Sequence, residues 1–518
     1  MSKDVDYLVL GSGLSALTFA ALMAQRGHSV KVLEAHEHFG GYGHTFDVGD
    51  YRFNAQFHYV CGCGEGGIVK TLLKHLNLEK EVTFESLNSE GYDHVYCDDK
   101  RLDIPNGYDK LHKNMLAICS DAKPAIDQFI DILKHFNKVS ENFPLHRKHS
   151  YQLLKVIPST FKMFQLRNAT LQEVFDQCHL PKILQTLVSG QLIDYMLPPN
   201  DLSFIIWAAL FNGYNNGAYY PTQHFESMIN NLVNVIQSHG GEVIPNTYVS
   251  EFIREGKAIK GVYTQTVEAR TGVFQGEKTK HTGKQVICNF DPKHAAHMIG
   301  MQHFSKDLQK RLDYDYSYSS FVLYGAVQGI DLADYGFGDW NVWHCQSDHN
   351  KAFEDMYDHN DYSNPYFAMN CRSLHTDDKS NCKRDNSQIF QICTVANYEY
   401  WKLLKLRSHK AYNLKKKEVL DNILDVVEKN YVPKIREHLV FKMTGSPTSN
   451  ERYVSAPEGG SYGVNLTPRN FEFSRKLTSD TSLDNFHFCS AASGVAGFSG
   501  TVTTGIQLYE NLSKDYIS

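Results

Sequence analysis

The chain has 518 residues, 42% of them hydrophobic and 21% charged, and a formal net charge of −6. Such a length and apolar content supports at least two lobes with large cores, and disfavours disorder or an array of short repeats. The acidic balance offers no global positive field for a nucleic-acid backbone, so the expected partner is a small molecule.

Eleven cysteines are too few for a disulfide-built scaffold, and Cys61, Cys63, Cys97 and Cys119 follow no secreted-module spacing. Strand-like residues begin at Asp4 and leave no room for a cleavable leader, so no signal peptide is expected and a cytoplasmic location is. The strongest apolar run, Phe204 to Phe211, is eight residues long. That is less than half of the roughly 18–20 residues a transmembrane helix needs.

In chain order, Tyr7 to Leu10 read as a buried parallel strand, and Gly11-Ser12-Gly13-Leu14-Ser15-Ala16 follows without a spacer. This is a G-x-G-x-x-A dinucleotide fingerprint. Gly11 permits the tight turn, Gly13 leaves room for a pyrophosphate, and Ala16 lets the next helix approach the sheet. That helix is predicted over Leu14 to Arg26, with Gly27 as its stop, and its N-terminus suits a dianion. The second strand is Ser29 to Leu33. Glu34 ends it 23 residues after Gly11, where a carboxylate accepts ribose hydroxyls and disfavours the 2′-phosphate of NADP. Glycine-rich turns are common, but strand, helix, second strand and terminal acid together define a dinucleotide site. A second glycine turn, Gly40-Gly41, precedes His44 and suits a longer, extended cofactor.

Between Leu145 and Arg167 the chain carries Arg147, Lys148, Lys155, Lys162 and Arg167 without an acid, interleaved with Ile157, Phe161 and Phe164. Such a segment suits peripheral contact with a membrane surface; a surface helix broken near Pro158 is the plainer reading. Trp207, Phe211, Tyr219, Tyr220, Trp340 and Trp343 could line an apolar channel or fill an ordinary core. A helix is expected from Phe225 to Gln237, then a Gly240-Gly241 turn and two strands around Glu255-Gly256. Asp377 to Asn386 reads as a solvated loop, and Val419 to Val427 as a packed helix. His58 with Cys61 and Cys63 is too compressed for a metal site, and His294 and His297 read as helix-side residues, so no metal is expected. No G-x-S-x-G or Walker A pattern suggests hydrolysis or phosphoryl transfer.

Four blocks carry a resemblance. EAHEHFGGYGHTFDVGDYRFNAQFHY (Glu34 to Tyr59) resembles the FAD-binding opening of the phytoene desaturase, carotenoid isomerase and retinol saturase superfamily, which is related to the flavin amine oxidases. Its G-G-x-x-H-T-F segment and terminal H-Y are closest to the retinol saturase branch. Gly217 to Val262, Val286 to Gly300, and Tyr462 to Phe471 with Asp484 to Ile506 resemble later blocks of the same superfamily.

The resemblance implies an α/β fold with a discontinuous Rossmann-type FAD-binding domain of the flavin amine oxidase and phytoene desaturase type, plus an α+β substrate domain. The FAD domain is expected at residues 1–85, 215–300 and 445–518, and the substrate domain at 86–214 and 301–444. The implied FAD contacts are Gly11, Gly13, Leu14, Ala16, Glu34, Gly40, Gly41, His44, Val249 beside adenine, and Gly497, Gly500 and Thr501 under the flavin. Ser490-Ala491-Ala492 stands where relatives often carry G-x-D, a departure that puts one cofactor contact in doubt. His58 and Tyr59 are the catalytic candidates, since either could hydrogen-bond or transfer a proton near the flavin. The implied activity is saturation or cis–trans isomerisation of a carbon–carbon double bond in an apolar polyene or lipid. Desaturation, oxidation of an amine or other polar metabolite, and flavin binding without turnover are the alternatives, and no residue pattern specifies the electron donor.

Overall fold

The computed structural model describes residues 4–56, 59–141, 157–268, 273–377, 386–472 and 474–517. The first strand, β1 (Val5–Leu10), lies at the centre of a parallel sheet. It pairs on one side with β2 (Val30–Leu33) and on the other with the C-terminal half of the long strand Phe274–Cys288. Glu242–Ile244 adds beyond β2, and Phe486–Phe488 adds beyond the long strand, both in parallel register. Numbered along the chain, these five strands have the spatial order 3-2-1-4-5 of a dinucleotide-binding half. The order reverses at β1, so a crevice opens at the carboxyl ends of β1 and its neighbours, where such sheets bind ligands.

The helix after β1, α1 (Leu14–Gln25), starts and ends within one residue of the expected span. Its sequence LSALTFAALMAQ is apolar on nearly every face, and its residues from Leu14 to Ala24 are all buried. One side faces the sheet, and two other helices, His224–Ser238 and Phe498–Ser513, cover the rest. The approach to the last of these is close: a Cβ on Gly505 would lie 2.4 Å from the Ser15 carbonyl oxygen. Any larger residue there would push the two helices apart.

The long strand also joins this sheet to a meander. Its N-terminal half pairs antiparallel with Ala258–Val267, which pairs in turn with Thr247–Glu255 across the expected turn at Gly256. The expected helix at 225–237 is His224–Ser238, and residues 419–427 lie inside His409–Asn430.

A second seven-stranded sheet runs in the order 439–445, 319–328, 387–396, 367–371, 341–345, 93–97, 100–104. It is antiparallel except where Asp93–Cys97 and Asn341–Cys345 run in parallel. The architecture is thus an α/β Rossmann-type domain with an α+β companion, the expected class. The loop expected at 377–386 lies almost wholly outside the described residues. Among the described residues, no helix is long and apolar enough to cross a membrane.

Candidate flavin site and substrate cavity

The carboxyl end of β1 turns at Gly11, whose φ of +99° is reached without strain only by glycine and whose N–H donates to the Leu33 carbonyl at 2.7 Å. Gly13 is the N-cap of α1 and offers no side-chain cap. A Cβ on it would lie 2.5 Å from Asn289 Oδ1, which accepts the Gly13 N–H at 2.7 Å. Glu34 sits across the turn. Its Oε2 accepts the Ser12 N–H at 2.8 Å and the Ser12 hydroxyl at 2.6 Å, and its Oε1 accepts the His36 N–H at 2.8 Å. A carboxylate has about four acceptor positions. Three of these are taken, which leaves about one for a ligand hydroxyl.

The second glycine turn packs against the first. Gly40 donates its N–H to the Ser12 carbonyl at 3.0 Å, and Gly41 lies so near Gly13 that a Cβ on it would be 3.5 Å from the Gly13 Cα. Two side-chain-free turns and an uncapped helix N-terminus thus form a backbone cradle of the kind that holds a diphosphate. His44 is buried behind the second turn, and its Nδ1–H donates to the Gly41 carbonyl at 2.7 Å. Burial pushes its imidazole down to about 4, so it is neutral and braces the turn.

One cavity of about 1540 Å³ runs from this cradle into the second lobe. Gly11, Gly13, Leu14, Glu34, Gly40, Gly41, His44, Tyr59, Val249, Gly497, Gly500 and Thr501 all lie on its wall. Ala16 does not: it is fully buried within α1. His58 lies outside the described residues. Gly497 caps the last helix with φ +83°, and the Thr501 hydroxyl donates back to the Gly497 carbonyl at 2.9 Å. Ser490, Ala491 and Ala492 reach the wall too, and Ser490 N–H is satisfied by the Ser493 hydroxyl at 2.9 Å.

The aromatic residues proposed for a channel are elsewhere. Trp207 stacks on Phe211 at 4.7 Å in the core, Trp343 and Tyr220 are buried, and neither Tyr219 nor Trp340 lines the cavity. Large size favours burial of any kind, so it did not separate core from cavity wall. Tyr195, Tyr214, Tyr462 and Phe471 line the wall instead, with the aliphatic Ile193, Met196, Ile206 and Leu210.

Tyr59 stands among them, its ring stacked on Tyr214 at 4.1 Å. Its hydroxyl lies 2.8 Å from Asp194 Oδ2 and 3.0 Å from Asp93 Oδ2. Neither aspartate was singled out by sequence. Asp194 is flanked by apolar neighbours in QLIDYML, and an acid inside an apolar run was the available signal. Asn289 was missed as well. Its side chain ties Gly13 to Ser15 Oγ and to the Cys489 carbonyl, joining three distant segments of chain.

A model of the NAD(P)-binding Rossmann-like domain matches residues 9–76. The chain is 23% identical, over 97% of its length, to an all-trans-retinol 13,14-reductase of Danio rerio, and the match covers 84% of that protein. To the Homo sapiens protein of the same name it is 26% identical over 52% of its own length, and that match spans about half, 48%, of the relative. A 1-hydroxycarotenoid 3,4-desaturase of a Flavobacterium is 20% identical over 93% of each chain. Among solved structures, an oxidoreductase from Methanosarcina mazei superposes with a TM-score of 0.64 at 13% identity, covering 98% of this chain and all of the other. Cyclohexylamine oxidase from Brevibacterium oxydans does so at 0.62 and 12%, covering 99% of both.

The fold is therefore that of the flavin amine oxidases, a Rossmann domain with a companion sheet. Within that class, the chain is similar in sequence to the retinol reductases, carotenoid desaturases and prolycopene isomerases of the phytoene desaturase, carotenoid isomerase and retinol saturase superfamily.

Proposed function

We propose that the protein is an FAD-dependent oxidoreductase that acts on a carbon–carbon double bond of an apolar, retinoid- or carotenoid-like polyene or lipid, by saturation or cis–trans isomerisation. The observation that carries this reading is the single cavity that joins a dinucleotide cradle to a largely apolar wall. Sites for a drug-sized molecule measure about 300–1,000 Å³. At about 1540 Å³, this one has room for an extended cofactor and part of a second, apolar molecule.

The residues present fit FAD. The uncapped first turn of α1 supplies backbone N–H groups for the diphosphate and the side-chain-free glycine turns leave it room, Glu34 meets the ribose, and Val249, 7% exposed, offers an apolar face for the adenine. When bound, the flavin supplies a centre that exchanges a hydride or single electrons. The chain's own part is positional. Ile193, Met196, Ile206 and Leu210 bury apolar substrate surface at about 25 cal/mol per Å² and keep water from the bond being changed. Gly497 and Gly500 open the N-terminus of the last helix on the same wall.

The test is anaerobic incubation of the FAD-loaded, reduced protein with retinoids, carotenoids and unsaturated fatty acids, followed by product mass and geometry. A gain of two hydrogens supports saturation, and unchanged mass with altered geometry supports isomerisation. Loss of two hydrogens with oxidised flavin identifies a desaturase. Hydrogen peroxide formed with amines, with every alkene returned unchanged, overturns the proposal, as does a chain that takes up no FAD.

A further inference from the structure

The geometry points to Asp194 as the carrier of the cavity's exchangeable proton, delivered to one alkene carbon while the other receives a hydride, with Tyr59 as its positioning residue and Asp93 as a fixed anion behind it. This rests on the reading of the cavity as a site of alkene reduction.

The first step is a count of hydrogens. The Tyr59 hydroxyl is within hydrogen-bonding distance of two carboxyl oxygens, 2.8 Å to Asp194 and 3.0 Å to Asp93. A phenol has one O–H and can donate to only one of them. If both acids were ionised, one contact would bring two acceptors together in a buried site. A hydrogen on one carboxyl removes that conflict: the acid donates to the Tyr59 oxygen, and Tyr59 donates to the other carboxylate.

The surroundings decide which acid holds it. Asp93, fully buried, also accepts N–H groups from Gln191 and from Asn341 at 2.9 Å, which stabilise its charge. Asp194 has only Tyr59 among the described residues. The other titratable groups around Asp194 include Tyr195, Tyr214, Cys61 and Cys393, none of which is a base. Burial lifts Asp93 to about 6, whereas burial and the Asp93 charge together lift Asp194 well above the usual carboxylate range. Burial also raises Tyr59 well above the ordinary phenol, which makes it a poor proton donor and suits it to holding the acid in place.

Position completes the assignment. Asp194 and Tyr59 reach the cavity wall, and Asp93 does not. In the delivery step the alkene π bond breaks. One carbon forms a C–H bond with a hydride, which brings both electrons from the reduced flavin, and the other uses the π pair to bond the Asp194 proton. The Tyr59 O–H then turns from Asp93 to the new Asp194 carboxylate, 2.8 Å away, until a proton from water restores the acid.

Infrared spectroscopy of the full chain without cofactor tests the protonation alone. A carboxylic acid C=O band is expected at neutral pH, shifted in D2O and missing from Asp194→Asn; absence of any such band overturns the inference. For the FAD-loaded protein, Asp194→Asn is expected to slow single-turnover alkene reduction by about 10²–10⁴-fold. FAD uptake and reduction by dithionite should stay unchanged, and Asp194→Glu should restore part of the rate. Asp194→Asn turning over at the wild-type rate overturns the delivery step. Should Asp194→Asn fail to fold, Asp194→Glu and Tyr59→Phe decide it: a displaced acid band with a slowed rate supports the inference, and an unmoved band with a normal rate overturns it. A wild-type chain that shows the band but reduces no alkene overturns the reading of the site, and with it the delivery step.

Discussion

A carboxyl group kept neutral inside the fold holds a proton that the unfolded chain releases, and stability follows from that difference. Asp194 is raised from an ordinary value of 3.8, so its contribution is fully present below pH 3.8 and is lost as pH rises toward its folded value. The unfolding free energy of wild type minus that of Asp194→Asn should therefore fall by up to about 1.4 kcal/mol per pH unit above pH 4.5. Urea unfolding of the cofactor-free proteins at pH 4.5, 5.5 and 6.5 measures it, and a flat difference would mean an acid that ionises as if exposed. Gly13 makes a separate case. Its absent Cβ leaves the Asn289 amide 2.7 Å from the turn, so Gly13→Ala should cost at least tenfold in FAD affinity by flavin titration. The turn geometry at Gly11, Gly13 and Glu34 was legible because it depends on spacing along one short stretch. Asp93, Asp194 and Asn289 acquire their roles from contacts across 34, 135 and 276 residues, which no local pattern encodes.

Elements were legible where one periodicity dominated. The uniformly apolar α1 and the amphipathic His224–Ser238 both appear close to their expected ends. The helix Ile157–Gln165 shows the limit of the same reasoning. Ile157, Phe161 and Phe164 share one face and are 57%, 62% and 59% exposed, as membrane contact requires. The cationic part of the argument is weaker than composition suggested. Lys162 pairs with Asp131 of the neighbouring helix at 2.6 Å, and Arg167 lies over the Phe164 ring at 4.0 Å. Arg147, Lys148 and Lys155 lie outside the described residues. The cavity wall includes Ser140, near the end of the Lys123–Glu141 helix on which Ile157–Gln165 packs. We propose that this apolar face sits in a membrane surface beside the substrate's entry. Phe161→Ser with Phe164→Ser should abolish cosedimentation with anionic vesicles, whereas Lys162→Glu should weaken it only partly. Failure of the unaltered protein to bind vesicles would refute the proposal.

At the scale of the whole molecule, the cofactor cradle exists only when three distant stretches meet. The β1 turn, the end of the Phe274–Cys288 strand and the Cys489 loop are held together by the Asn289 side chain, which spans Gly13, Ser15 and Cys489. The Rossmann class was readable from one of these stretches, because strand, turn and helix are contiguous there. The second sheet was not, since its strands come from residues 93–104, 319–396 and 439–445 and pair by tertiary register. Removing Asn289 strands the Gly13 N–H, whereas the Ser15 hydroxyl still donates to the Cys489 carbonyl at 2.8 Å. A partly buried group stranded in this way costs about 1–3 kcal/mol. Asn289→Ala should lower the unfolding free energy of the cofactor-free protein by that amount. Ligand binding to the folded state adds RT ln(1 + [L]/Kd), about 2.7 kcal/mol at a hundredfold excess over Kd. Saturating FAD should therefore raise the midpoint of wild type well above that of the variant, because the variant loses intrinsic stability and affinity together. Equal shifts in both proteins would show that the cradle assembles without Asn289, and would assign the joining of the three segments to the strand pairing of Val286–Cys288 with Phe486–Phe488.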